Sequence, residues 1–351
     1  MISSRYSSIG GFLEFNFNPD EKWNFILGSR IDKDQRYHLT LNPRVGAVFT
    51  SSKIVAKALF GTAFLAPSPQ NIYDRFGSFS TNDGGLTYAS DFFQLPNPEL
   101  EPQTIATWEL GTRYFITKNF TIDIKAYFSK TENLISPITS DISPAIINGL
   151  YPNSTYQIDG FNIPIDQIQV NGNLGKSSIY GGSAALQYQF QTQSVRGNIF
   201  SSFSFVDGST DIDEEGSIVE RNLPGVAPVM IKMGGTVTTQ KVSFHLRAQF
   251  ISKQRTFSVS AVNDSNGNGN LFDDNEYKEI SGYYALNANI LYTVSSAMKL
   301  SLGVRNLLDR RYKNVNTGAG VVQGASSGSA EFNDGAPQNP IRVTTGLSFQ
   351  F

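Results

Sequence analysis

Between Asp264 and Glu276 the chain concentrates hard oxygen donors: Asp264, Asn266, Asn268, Asn270, Asp273, Asp274 and Glu276. Donors at the first, third and fifth positions, with Gly269 at the sixth, follow the order of a calcium loop, where glycine makes the sharp turn. The closing acid arrives one place late, and no helix pattern flanks the segment. Two readings stand: a Ca²⁺ site suited to a calcium-rich exterior, and an ordinary Asn/Gly/Asp turn cluster. No other cofactor is expected.

A second stretch concentrates aromatic side chains. The segment 64–102 holds Phe64, Tyr73, Phe76, Phe79, Tyr88, Phe92 and Phe93, and 138–175 adds Tyr151, Tyr156 and Phe161. Flat rings in a polar loop offer a stacking surface for a small molecule or glycan, such as a catecholate or a sugar. They also serve to pack loops against one another. Catalytic chemistry is poorly represented. Gly324-Ala-Ser326-Ser-Gly328 has nucleophile-elbow spacing but lies in a Gly/Ser-rich stretch without a strand-to-helix turn. The two histidines, His38 and His245, are not in metal-ligand spacing, and there is no cysteine. No catalytic residue is assigned.

These segments hang from a regular frame. Phe120, Ile122, Ile124, Ala126 and Phe128 alternate with Thr121, Asp123, Lys125 and Tyr127. Val242 to Phe250, Tyr284 to Tyr292, Met298 to Val304 and Val343 to Phe351 repeat the pattern. Period two means strands, each with one apolar and one polar face. About ten residues at ~3.3 Å rise and ~45° tilt cross a band of roughly 25 Å, the height of a lipid-facing belt. The alternation predicts thirteen strands near 5–18, 22–32, 38–50, 53–63, 103–116, 119–137, 176–191, 194–207, 227–240, 242–255, 281–294, 297–309 and 338–351. Their connections alternate in length. Asn18-Pro19-Asp20, Ser51-Ser52, Lys118-Asn119, Thr192-Gln193, Gln240-Lys241 and Ser295-Ser296 are tiny, whereas 64–102, 138–175, 208–226, 256–280 and 313–337 are long and polar. Short inner turns and long outer loops mark an outer-membrane barrel.

The predicted class is therefore all-β: a transmembrane, antiparallel, up-and-down β-barrel in contact with outer-membrane lipid. A net charge of −2 gives no footprint for nucleic acid. No apolar run reaches the ~18 residues that a membrane helix needs. Glu109, Arg113, Asp123, Lys125, Arg196, Lys232, His245, Arg247, Lys299, Arg305 and Arg342 fall on the polar face. They form either a salt-bridged wall or a ligand path. Trp108, Tyr114, Tyr188, Phe190, Tyr292, Phe349 and Phe351 fall on the apolar face toward strand ends, as an aromatic girdle does. An odd strand count and the lack of a signal peptide at Met1–Gly11 point to the C-terminal part of a larger barrel.

Three motifs carry a resemblance. Gly61-Thr-Ala-Phe-Leu-Ala-Pro-Ser68 resembles the GFRAPS segment of TonB-dependent outer-membrane receptors. Asn97-Pro-Glu-Leu-Glu-Pro-Gln103 with Trp108-Glu-Leu-Gly111 is similar to their NPxLxPE…ELG signature, with Gln103 in place of the usual Glu. Leu302-Gly-Val-Arg-Asn-Leu-Leu-Asp-Arg-Arg-Tyr312 resembles their C-terminal VxNLfdxxY segment. The resemblance implies that residues 1–351 are the last thirteen strands of a 22-stranded barrel, with neither plug domain nor TonB box in this chain. It further implies uptake of siderophore iron, cobalamin or oligosaccharide across a Gram-negative outer membrane, energised through TonB by the missing N-terminal region. The terminal Phe351 resembles the assembly signal read by the barrel-assembly machinery. A passive porin-like channel and a surface ligand-binding barrel are the alternatives.

Overall fold

The computed structural model describes residues 7–37, 39–80, 89–139, 155–158, 161–164, 168–214, 217–223, 225–256, 278–314 and 336–349. Thirteen wall strands follow one another along the chain. Strands β1 to β4 are Ser8–Phe17, Trp23–Asp34, Thr40–Thr50 and Ile54–Leu65. Strands β5 to β8 are Gln103–Thr117, Phe120–Thr139, Ile168–Gln191 and Arg196–Glu214. Strands β9 to β13 are Val229–Thr238, Val242–Ile251, Tyr283–Ser295, Met298–Arg305 and Arg342–Phe349. Each pairs antiparallel with the next in sequence, so the sheet is an up-and-down meander from β1 to β13.

The short turns share one chemistry. Asp20 Oδ1 accepts from the backbone N–H of Lys22 (2.8 Å) and Trp23 (2.9 Å). Thr192 Oγ1 accepts from Val195 N at 3.1 Å, and Thr239 Oγ1 accepts from Val242 N at 3.0 Å. Short polar side chains thus satisfy the turn's own donors and hold each hairpin in register.

That register gives the sheet two unlike faces. Phe244, Leu246 and Phe250 of β10 lie beside Ile290, Ala288 and Tyr284 of β11, all on one face. Aromatic residues mark two levels of this face. Phe60, Trp108 and Phe128 are neighbours on three adjacent strands, with ring centroids 5.1 and 5.5 Å apart. Trp23 contacts Phe25 and Phe49 near the short turns, and Phe120, Tyr188 and Phe190 continue that level. Trp108 accordingly belongs to the level nearer the long loops, and Tyr114 and Tyr188 to the level nearer the turns. Eight residues separate Tyr284 from Tyr292, roughly 26 Å along a strand before tilt. The spacing matches an apolar band between two interfacial girdles.

The opposite face is polar and includes close backbone approaches. At Gly181 an added Cβ would lie 2.6 Å from Phe205 O and 2.7 Å from the Tyr127 hydroxyl. Only glycine leaves that space, and the Tyr127 ring from the neighbouring strand covers it.

A one-layer wall has little interior. Among the described residues the buried apolar side chains sit at the loop ends of the strands: Ile72, Leu95, Leu100 and Val170 in one group, Ile251, Ile280 and Ala285 in another. Two segments expected as loops are partly strand. Strand β7 begins at Ile168, and β8 runs on to Glu214 and pairs with Ser217–Asn222. Their alternation continues beyond the membrane band, where both faces are polar and the sequence contrast fades.

Candidate functional site

The aromatic segment is mounted on a compact knot. Ser68 caps a short helix, Pro69–Tyr73, by accepting from Asn71 N, and a buried Ile72 turns inward. Asn71 O accepts from Asn97 N at 2.8 Å. Asn97 is itself buried, donating Nδ2 to Asn171 O (2.8 Å) while Oδ1 accepts from Glu99 N (2.9 Å). Asn173 Oδ1 accepts from Glu101 N, and its Nδ2 donates to the carbonyls of Glu101 and Asn133. Ile72, Leu95, Leu100, Pro67 and Val170 pack beneath. The Asn-Pro-x-Leu motif is thus a clamp whose polar residues satisfy irregular backbone and whose leucine fills the small core. Asn97→Ala leaves two backbone groups unpaired and should cost about 1–3 kcal/mol by denaturant unfolding. A midpoint equal to the parent's would remove the clamp role.

From this clamp rises a hairpin of Phe76–Ser80 and Ala89–Leu95, with Ser78 opposite Phe92 and Gly77 opposite Phe93. Its second strand pairs in parallel with the start of β7, Phe93 beside Ile168 and Val170 beside Leu95. The backbones of Phe76, Phe79, Phe92 and Phe93 are therefore tied to the wall. Tyr73 ends the helix with its side chain exposed. Phe64 closes β4, its ring 5.7 Å from that of Tyr37. Burial is the largest cause pushing the Tyr37 hydroxyl up from its ordinary pKa, with the Asp34 carboxylate adding to it. Tyr156 lies on a second hairpin, Thr155–Ile158 with Phe161–Pro164. Tyr88 and Tyr151 lie outside the described residues, as do Asp264, Asn266, Asn268, Asn270, Asp273, Asp274, Glu276, Ser326 and Phe351. Among the described residues no group of three or more His, Cys, Asp or Glu is placed to hold a metal.

The last motif is a second clamp, which spacing alone did not reveal. Asn306 is buried with φ +50°. Its N–H donates to Asn287 Oδ1 (2.9 Å), its Nδ2 to Arg310 O (2.9 Å) and Asn339 O (3.3 Å), and its Oδ1 accepts from Arg310 N (3.0 Å). Asp309 Oδ1 accepts from Ile341 N at 2.8 Å. The turn swings Arg310 over the Tyr284 ring at 4.4 Å and stacks Tyr312 on Tyr283, centroids 4.0 Å apart. Around them is a rim cavity of about 460 Å³ lined by Tyr283, Tyr312, Arg310, Arg311 and Lys313. Glu279 also lines it, held by Lys253 Nζ at 2.9 Å.

The polar wall face divides into two halves. On β1 to β6, Glu14 faces Arg44 (3.7 Å), Lys57 faces Glu109 (3.3 Å) and Arg113 faces Asp123 (2.9 Å). On β9 to β13, Lys232, Arg247, Lys299, Arg305 and Arg342 have no ion pair among the described residues. His245 lies between the Thr236 hydroxyl (2.8 Å) and the Ser243 hydroxyl (3.3 Å). No carboxylate on β9 to β11 orients its ring, so these contacts make wall structure and lack the third member of a triad.

A meander of long tilted strands, apolar and aromatic-belted on one face and charged on the other, defines a membrane β-barrel wall. The family described as TonB dependent receptor-like, beta-barrel, matches residues 2–307, and the chain belongs to this family of outer-membrane barrels. No curated protein matches the chain. Among solved structures it is similar to a variant of the ferric enterobactin receptor of Pseudomonas aeruginosa (16% identity, TM-score 0.66), over 99% of this chain and 45% of that one. A siderophore receptor of Acinetobacter baumannii gives 13% identity and a TM-score of 0.66, over 99% and 46%. A copper transporter gives 17% and 0.60, over 99% and 48%. The chain thus spans about half the length of the solved proteins it matches.

Proposed function

We propose that this chain forms part of the wall of a receptor that takes up a scarce nutrient across a Gram-negative outer membrane, energised through TonB. The nutrient classes that fit are siderophore iron, cobalamin or an oligosaccharide. The observation that carries the reading is the two-faced thirteen-strand wall coinciding with the family match over residues 2–307. The aromatic hairpin anchored beside β7 supplies a ligand platform at the long-loop rim, and rings there suit a catecholate or a sugar face. Phe351 is the residue through which the assembly machinery recognises the chain.

Nutrient accumulation in cells expressing the receptor should stop when TonB is deleted. Accumulation that persists without TonB would favour a passive channel, and surface binding without accumulation would favour a binding barrel. Deleting Phe351 should lower the fraction of chain resistant to urea extraction from outer membranes. An unchanged fraction removes the assembly role.

A further inference from the structure

The short turns of the wall repeat one arrangement. Lys22, Lys53 and Lys241 each stand last in their turn, directly before Trp23, Ile54 and Val242, the first residues of β2, β4 and β10. Each lysine carbonyl accepts from a neighbouring strand: from Thr50 N (2.7 Å), Phe115 N (2.8 Å) and Thr293 N (2.7 Å). Those amides directly follow Phe49, Tyr114 and Tyr292, aromatic residues of the apolar face that lie opposite Trp23, Ile54 and Val242. The turn before β6 shifts the lysine by one place. There Asn119 O accepts from Gln189 N (2.8 Å), Tyr188 lies opposite Phe120, and Lys118 precedes the asparagine. Backbone bonds thus hold a lysine and a lipid-facing aromatic at one level in four of these turns.

That level is a bilayer surface. The turn-side rings mark where hydrocarbon meets water, and the four lysines, all exposed, lie just past them on long stems. Among the turn residues the only carboxylates are Asp20 and Glu21, in the first turn, and Asp20 is engaged with the backbone of Lys22 and Trp23. The turns before β4, β6 and β10 therefore carry one positive charge each and no acid. The long-loop end of the same face differs. There Glu132 lies 2.8 Å from Lys130, and Asp207 accepts from the Tyr180 hydroxyl at 3.3 Å.

We propose that Lys53, Lys118 and Lys241, with Lys22, bind the headgroup phosphates of anionic phospholipid in the leaflet that meets the short turns. A phospholipid satisfies both members of each pair at once, its chains covering the aromatic ring while its phosphate meets the ammonium. A soluble phosphate or an acidic protein would use the lysine and leave the ring without a partner.

The test is native mass spectrometry of the receptor, released from mixed micelles holding equal amounts of phosphatidylglycerol and phosphatidylcholine. The parent should retain phosphatidylglycerol in at least tenfold excess. Lys53→Gln with Lys118→Gln and Lys241→Gln should lower that excess at least fivefold. Lys53→Arg with Lys118→Arg and Lys241→Arg should preserve it, which separates lost charge from lost fold. Lys125→Gln with Lys232→Gln and Lys299→Gln removes the same charge from the inner face and should leave the excess unchanged. Equal retention of the two lipids by the parent would overturn the proposal. So would an equal drop in both glutamine triples, which would reduce the effect to net charge, or an equal drop in the arginine triple, which would trace it to fold. Displacement of the bound lipid by millimolar glycerol 3-phosphate would make the ligand a soluble phosphate and overturn it too. Each of these failures leaves TonB-dependent accumulation, and hence the uptake reading, untouched.

Discussion

Arginine at Ile124 or Leu246 should destabilise the protein in lipid by about 2–4 kcal/mol, while arginine at Asn289 should change it by much less. Ile124 and Leu246 are exposed on the apolar face, between the two aromatic levels. Ile124 neighbours Thr112 and Ala184, and Leu246 neighbours Gly235 and Ala288, so neither site offers a carboxylate to a new guanidinium. Near the bilayer midplane the charge must reach water by bending its stem or thinning the lipid. Asn289 faces the other way, beside His245 and Gly303, where the surroundings are polar. Asn287, which alternation alone recommends as the inward control, is unsuitable because its amide anchors Asn306. Urea unfolding from bilayers provides the measurement, and Trp23 and Trp108, both on the apolar face, report lipid contact by emission. Equal destabilisation at Leu246 and Asn289 would mean that the face assignment is wrong.

Asn306→Ala should cost about 2–4 kcal/mol. The substitution removes two donations and one acceptance, leaving Arg310 N, Arg310 O and Asn339 O without their partners, and each such loss is worth about 1–3 kcal/mol where water cannot enter. Partial solvent access at the rim holds the sum below the additive total. Alanine also tolerates the positive φ poorly, at roughly 1–2 kcal/mol. Asn306→Asp keeps the acceptor for Arg310 N but loses both donations, and should fall between parent and alanine variant. Loss of the turn should also release Arg310 from Tyr284 and open the rim cavity. A change below ~0.5 kcal/mol in Asn306→Ala would show that the turn is held by backbone alone.

Alternation made the wall legible. Lipid on one side and a polar space on the other impose opposite demands on successive residues, and from Phe120 to Phe128 or Val242 to Phe250 nothing interrupts that demand. All thirteen strands are present, but three are shorter than alternation expects: 242–255 ends at Ile251, 297–309 ends at Arg305 where Asn306 begins a turn, and 338–351 begins at Arg342. The limits of β7 and β8 were less legible, because above the membrane both faces are wet and alternation loses its cause. The two clamps were visible only as family-like motifs. By sequence Asn97 is a polar loop residue and Asn306 falls inside the expected strand 297–309, and their burial appears only when Asn171 and Asn339 are brought to them from a distance.

The order of apolar and polar side chains by itself determined the strands, their facing and the short-turn hairpins, since each depends on contacts within a strand or between neighbours in sequence. Tertiary structure decided which charges meet. Lys57 reaches Glu109 and Arg113 reaches Asp123, whereas Arg305 is set opposite Arg342. That outcome depends on cross-strand register, which joins residues tens of positions apart, sets carboxylates beside cations on β1 to β6 and leaves β9 to β13 without any carboxylate.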